Sequence, residues 1–199
     1  MSFVTTGLPA PPQTRGRNIV VGTGFAVAAS VMYFAGLFAV YIHERAVVRQ
    51  AGIDWIPGSA QIELTTPGMI MWTLLISVAV MQWAVYSIAR DDRSHALMAI
   101  GATLAMGGMV LVQYGWQFVQ MGLVVDEGPT TAAVLIYTLT GSHIVMVVVA
   151  MVFVALMGFR AAAGQFSSHQ TDAIVAASIF WYATVFVYFF LWIGVFIAR

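Results

Sequence analysis

Apolar residues in this chain do not alternate with polar ones. They come in five long, nearly unbroken runs set apart by short polar stretches, at about residues 17–42, 67–89, 96–125, 131–159 and 173–198. Each run exceeds the roughly 20 residues that a helix needs to cross a hydrocarbon core. The third and fourth are long enough to tilt or to project past the headgroups. Strands of a membrane barrel would instead alternate apolar and polar residues over about ten positions. Within lipid, a single continuous segment satisfies its own backbone only as a helix. The pattern therefore predicts an all-α polytopic membrane bundle, one domain over residues 17–199 with five transmembrane helices, preceded by an arm over 1–16. In that arm Leu8-Pro9-Ala10-Pro11-Pro12 reads as loose extended chain. Met1–Gln13 holds no basic residue, and the run after Arg15 and Arg17 outlasts the roughly 7–15 apolar residues of a signal peptide. The longest connection, His43–Thr66, is amphipathic through Trp55, Ile56 and Pro57 and is expected to lie on the membrane surface or on a partner. No internal repeat stands out, and an odd number of spans cannot form two equal inverted halves, which weighs against a transporter.

Composition sharpens this reading. Of 199 residues, 61% are hydrophobic and only 8% are charged, against about 25% charged in soluble domains. So few charges cannot cover a water-facing surface of this size. Net charge is +0, so nucleic acid, which needs clustered basic residues, is not an expected partner. The lack of cysteine removes disulfides, thiolate metal sites and iron–sulfur clusters. All eight basic residues are arginines. With five spans, Arg15, Arg17, Arg90, Arg93 and Arg160 fall on the N-terminal side, and Arg45, Arg49 and Arg199 on the other. The positive-inside rule then places the N-terminus in the cytoplasm and the C-terminus outside.

Charge inside a membrane marks ion paths, proton relays and voltage sensors. Here the interiors of the five runs carry no Asp, Glu, Lys or Arg. Of four histidines, His43, His95 and His169 lie near span edges and His143 alone lies deep. A haem or copper site needs several imidazoles at one depth, so no metal, cofactor or catalytic residue is expected in this chain. Its twelve methionines read as flexible core fillers. His143 follows Thr140-Gly141-Ser142; it reads first as an interhelical hydrogen bond or a lipid contact, and second as a proton-transfer or ligand group. Gln113 and Gln117 share a helix face with Gln120 nearby, which suits helix adhesion before a substrate channel. Gly24 with Ala28, and Gly101 with Ala105, have the four-residue spacing that lets helices approach closely. The fifth run is aromatic throughout, from Phe180, Trp181 and Tyr182 to Phe196, as in a span packed against other helices or lipid tails rather than lining water.

Several stretches resemble cytochrome c oxidase subunit III. Ala29-Ser30-Val31-Met32-Tyr33-Phe34-Ala35-Gly36-Leu37-Phe38-Ala39-Val40-Tyr41 is similar to that family's Ser-Glu-x-Met-Phe-Phe-Ala-Gly-Leu-Phe-Ala-x-Tyr segment, and Glu44-Arg45-Ala46 fits its continuation. Thr140-Gly141-Ser142-His143 resembles the start of a Gly-x-His-Gly-x-His motif. Phe180-Trp181-Tyr182 falls where the family has Tyr-Trp-His, and Gln113 with Trp116-Gln117-Phe118 is similar to Gln-x-x-Glu-Tyr with a one-residue offset. The likeness runs through all five spans in order and matches the short bacterial form that lacks two helices of a seven-helix relative. The chain departs from the family at its ionisable positions: Ser30 replaces a glutamate, Met146 a histidine, Tyr182 and Val185 a histidine and an aspartate, and Gln117 a glutamate.

The resemblance implies a non-catalytic subunit of a haem–copper terminal oxidase in a bacterial plasma membrane. Oxidase subunits I and II would be its partners, with haem and copper held there. Phospholipid would bind in a cleft between helices, and the subunit would support proton uptake and durability during O₂ reduction, alone or in a respiratory supercomplex. Ser30, Gln113, Gln117, His143 and Trp181 are the residues expected to contact lipid or subunit I. An accessory helical subunit of another membrane complex, such as one associated with nitric oxide reductase, and a small transporter or channel are the competing readings.

Overall fold

The computed structural model describes residues 15–56, 63–121, 130–166 and 170–198. It contains five helices: α1 (Arg15–Gln50), α2 (Thr65–Ala89), α3 (Arg93–Met121), α4 (Thr131–Ala162) and α5 (Asp172–Leu191), the last continuing into a π-helical turn over Trp192–Ile197. All five are long and apolar enough to cross a membrane, and no strand occurs among the described residues. The five expected spans are thus the five helices. The charged residues within them sit near their ends, from Glu44, Arg45 and Arg49 on α1 to Arg160 on α4.

Local chemistry sets where the helices stop. Gly52 follows α1 at φ +74°, a left-handed conformation that costs glycine little. It lets Ile53 N donate to Val48 O and Gly52 N to Arg49 O, closing the last carbonyls. Gly164 repeats the device after α4, at φ +73°, with Gln165 N bonded to Arg160 O. Thr130 opens α4 by accepting Ala133 N–H on its side chain. Pro67 is tolerated in the first turn of α2, where it removes only a donor that has no helical partner. Between α2 and α3 the chain reverses over Arg90, Asp91 and Asp92 alone. Asp91 takes φ +58° there, and Asp92 Oδ1 caps α3 by accepting His95 N–H at 3.2 Å.

Two sequence expectations change. The segment His43–Gln50 is not loop: α1 runs 36 residues to Gln50, about 54 Å at 1.5 Å per residue. Nothing in His-Glu-Arg-Ala-Val-Val-Arg-Gln breaks a helix before Gly52. Trp55 folds back so that its indole N–H donates to Tyr41 Oη at 3.2 Å and its ring meets that tyrosine edge-on. The small-residue pairs are also not close approaches within this chain, since a side chain at Gly24 or Gly101 would meet nothing. Close approach occurs instead at Gly107, where a Cβ would fall 2.9 Å from Met151 and 3.0 Å from Trp181, at Gly158, 3.0 Å from Ile100, and at Gly194, 3.1 Å from Phe38. Pro57, His169, residues 122–125 and most of the N-terminal arm lie outside the described residues.

α2 and α3 form an antiparallel hairpin, α4 packs on α3, and α5 is the hub, touching α1, α2 and α4. α1 lies at the periphery against α5 and α4.

Candidate functional site

The polar groups of the bundle converge where α3, α4 and α5 meet. His143 is fully buried there. Its Nε2 lies 3.0 Å from the Thr184 carbonyl oxygen, which can only accept, so Nε2 carries hydrogen. In a neutral ring Nδ1 is then the acceptor, and the Tyr114 hydroxyl, 2.8 Å away, donates to it. Tyr188 packs against both, tilted 5.2 Å from His143 and edge-on 6.0 Å from Tyr114 between ring centroids, and donates its own hydroxyl to Pro67 O. One connected cluster therefore ties α2, α3, α4 and α5, and the interhelical hydrogen bond is the reading of His143 that the geometry supports. A second tie lies deeper in α2: Trp181, fully buried, donates from Nε1 to Ser77 Oγ at 2.9 Å, and that hydroxyl bonds Leu74 O.

Gln113 and Gln117 are buried on α3, 8% and 3% exposed. Gln113 Oε1, both amide atoms of Gln117 and Trp192 Nε1 have no hydrogen-bond partner among the described residues. Sequence reasoning placed both amides on one face but carried no signal of the indole that shares their condition.

Ser30 differs from the other expected residues. Its hydroxyl turns back to Ala26 O at 2.9 Å, and it lines an open groove of about 550 Å³ between α1 and α4, floored by Phe34, Met146 and Phe180. At its wall Tyr33 Oη and Ser142 Oγ share a hydrogen bond of 2.9 Å. A second groove of about 520 Å³ runs between α1 and α5, walled by Phe34, Phe38, Phe186, Phe190 and Gly194. Phe34 belongs to both, so α1 is flanked by two open grooves. Of the five expected contact residues, Ser30 alone lies in such a groove; His143, Trp181, Gln113 and Gln117 are enclosed by the chain's own helices.

At the end that holds the α2–α3 turn, His95 Nδ1 lies 2.6 Å from Asp92 Oδ2 and the His95 ring sits 5.9 Å from that of Trp83. The His95 backbone N–H, first, and then its ring hold the Asp92 carboxyl below its ordinary range. Arg90 covers the Tyr86 ring at 4.2 Å. No group of three metal-binding side chains forms among the described residues.

Known proteins resemble this chain in sequence. The family model for cytochrome c oxidase subunit III matches residues 10–198. A probable cytochrome c oxidase subunit 3 of Nocardia farcinica is 26% identical over 186 residues, covering 92% of this chain and 87% of that protein. Another, of Mycobacterium leprae, is 26% identical over 186 residues, 93% of this chain and 90% of that one. The cytochrome c oxidase subunit 3 of the sea urchin Strongylocentrotus purpuratus is 25% identical across 83% of this chain, which spans 64% of that relative's length. The matched region takes in all five helices, the α5 hub and the buried cluster, and on that match the chain belongs to the cytochrome c oxidase subunit III family.

Proposed function

We propose that this chain is the non-catalytic third subunit of a haem–copper terminal oxidase in a bacterial plasma membrane, with its N-terminus in the cytoplasm. It packs against subunit I, beside subunit II, and the haem and copper reside in those partners. The observation that carries the reading is the family match over five helices whose interiors hold no ionised side chain. Such a bundle has nothing with which to relay protons or electrons by itself, and serves a reaction centre in another chain. The two grooves beside α1 take phospholipid acyl chains, with Ser30, Tyr33 and Ser142 along one of them. His143, Trp181, Gln113 and Gln117 act from within, fixing the helices that form the groove walls. Filled grooves keep water and loose side chains out of the junction with subunit I, which supports proton uptake there and keeps the enzyme intact through repeated turnover of O₂.

The test is purification through a tag on this chain. The preparation is expected to contain haem, copper and a catalytic subunit. A homo-oligomer free of chromophores would remove the proposal. Selective release of the chain should leave initial O₂ consumption largely intact and shorten the time over which it is sustained; immediate loss of haem would contradict a supporting role.

A further inference from the structure

We infer that Gln113, Gln117 and the Trp192 indole hold a small cluster of ordered water, buried near the end of the bundle opposite the N-terminus. The starting point is the four unpartnered atoms: two amide oxygens, one amide nitrogen and one indole nitrogen. Buried amides without partners are costly in any apolar surrounding, and membrane interiors offer no bulk water to relieve them. Gln117 and Trp192 share a level, with Gln113 about one turn nearer the N-terminal end. The Tyr114 and Tyr188 rings meet 6.0 Å apart, and α3 and α5 both run away from the N-terminal end. Gln117 lies three residues past Tyr114, and Trp192 four past Tyr188, so each is about one helical turn further along. Gln113 and Gln117 are four apart and share a face. The π-helical turn begins at Trp192 and packs on α2. Such turns interrupt regular helix bonding and are frequent at functional sites; here Ala198 N reaches back five residues to Ile193 O.

The mixture of groups selects the ligand. Two acceptors and two donors suit a molecule that both donates and accepts. An anion would meet unfavourable oxygens and a cation unfavourable N–H groups. Water fits, since a buried water makes about three hydrogen bonds to groups of this kind.

The test uses the intact complex that contains this chain. A map fine enough to show solvent is expected to place density peaks about 2.7–3.2 Å from the Gln117 amide. Gln117→Met, of nearly equal shape, is expected to lower the chain's Tm by about 2–4 °C, the shift that loss of one such network implies at this size. A dry amide would give the opposite sign, because removing an unsatisfied polar group relieves its desolvation. No peak, a rise in Tm, density shaped like an acyl chain, or backbone from residues 57–62 or 122–129 on the amides would each overturn the assignment.

Discussion

α1 and α5 are both apolar spans, yet the bundle treats them as opposites. In their most apolar stretches, 67% of α5 residues are buried within the chain and 11% of α1 residues. Lipid tails are as apolar as leucine, so hydrophobicity cannot choose which helix is surrounded. Shape and hydrogen bonds choose. α5 reaches α2 through Trp181 on Ser77, Tyr188 on Pro67 O and Tyr182 on Gln82, and receives His143 from α4 on its Thr184 carbonyl. It also meets Gly107 of α3, where the missing side chain leaves room for the Trp181 ring. α1 reaches α4 through Tyr33 on Ser142 and buries Phe34 and Tyr41, but presents other large residues such as Phe25 and Met32 outward, 74% and 76% exposed. Apolarity marks a span, and the placement of its few polar and smallest residues marks the centre of the bundle.

The contrast can be broken most severely at Trp181. Trp181→Ala leaves a void at the hub and removes the donor to Ser77 Oγ, and should cost about 3–5 kcal/mol, read as a large fall in the temperature at which this chain leaves the complex. His143→Leu should cost about 2–3 kcal/mol, since it strands the Tyr114 hydroxyl in a dry site. Tyr114→Phe in the same chain should recover part of that loss, and the visible haem spectrum of the complex should not change with either. On the α1 side, Ala39→Trp fills the groove against α5; it should reduce phospholipid phosphorus retained per complex while leaving the fold within about 1 kcal/mol. Asp92→Asn should weaken the start of α3 less than any hub change. The carboxyl is held below its ordinary pKa of 3.8 in the fold, so its contribution is present above that pH and disappears as pH falls through the lowered value. The acid limb of the wild-type stability curve should therefore flatten in the variant. Smallest of all, Phe25→Ala and Met32→Ala should change the chain's own stability by no more than about 0.5 kcal/mol; a larger loss in the complex would reveal a neighbour seated on α1.

Much of this was legible in the residues, for reasons that vary by element. The five spans follow from hydropathy because the lipid environment leaves continuous apolar chain one option. The aromatic content of the fifth run excluded a water-lined helix but suited helices and lipid tails equally; its place as the hub is set by partners on α2 and α4. His143 among small polar residues signalled an interhelical bond, but its partner could not be read: Tyr114 lies 29 positions away, and only the α3–α4 crossing brings the two together. The last eight residues of α1 mix charge with apolar side chains, which ends an apolar run but not a helix; Gly52 is the stop signal, not Glu44. The close approaches were assigned to Gly24 and Gly101 on spacing alone. Spacing defines a face, not its occupant, and the glycines that neighbours do press upon are Gly107, Gly158 and Gly194. The π-helical turn had no sequence mark. It follows from how α5 ends against α1 and α2.

The reversal at Arg90–Asp92 is three residues long, a reach of about 10 Å at full extension. The facing ends of α2 and α3 therefore stay within about that distance of each other, whatever the other helices do. The hairpin is tethered at this end by the chain itself as well as by packing, so the two spans move as one body. Lengthening the bend would release that tether and leave the contacts farther along the hairpin in place.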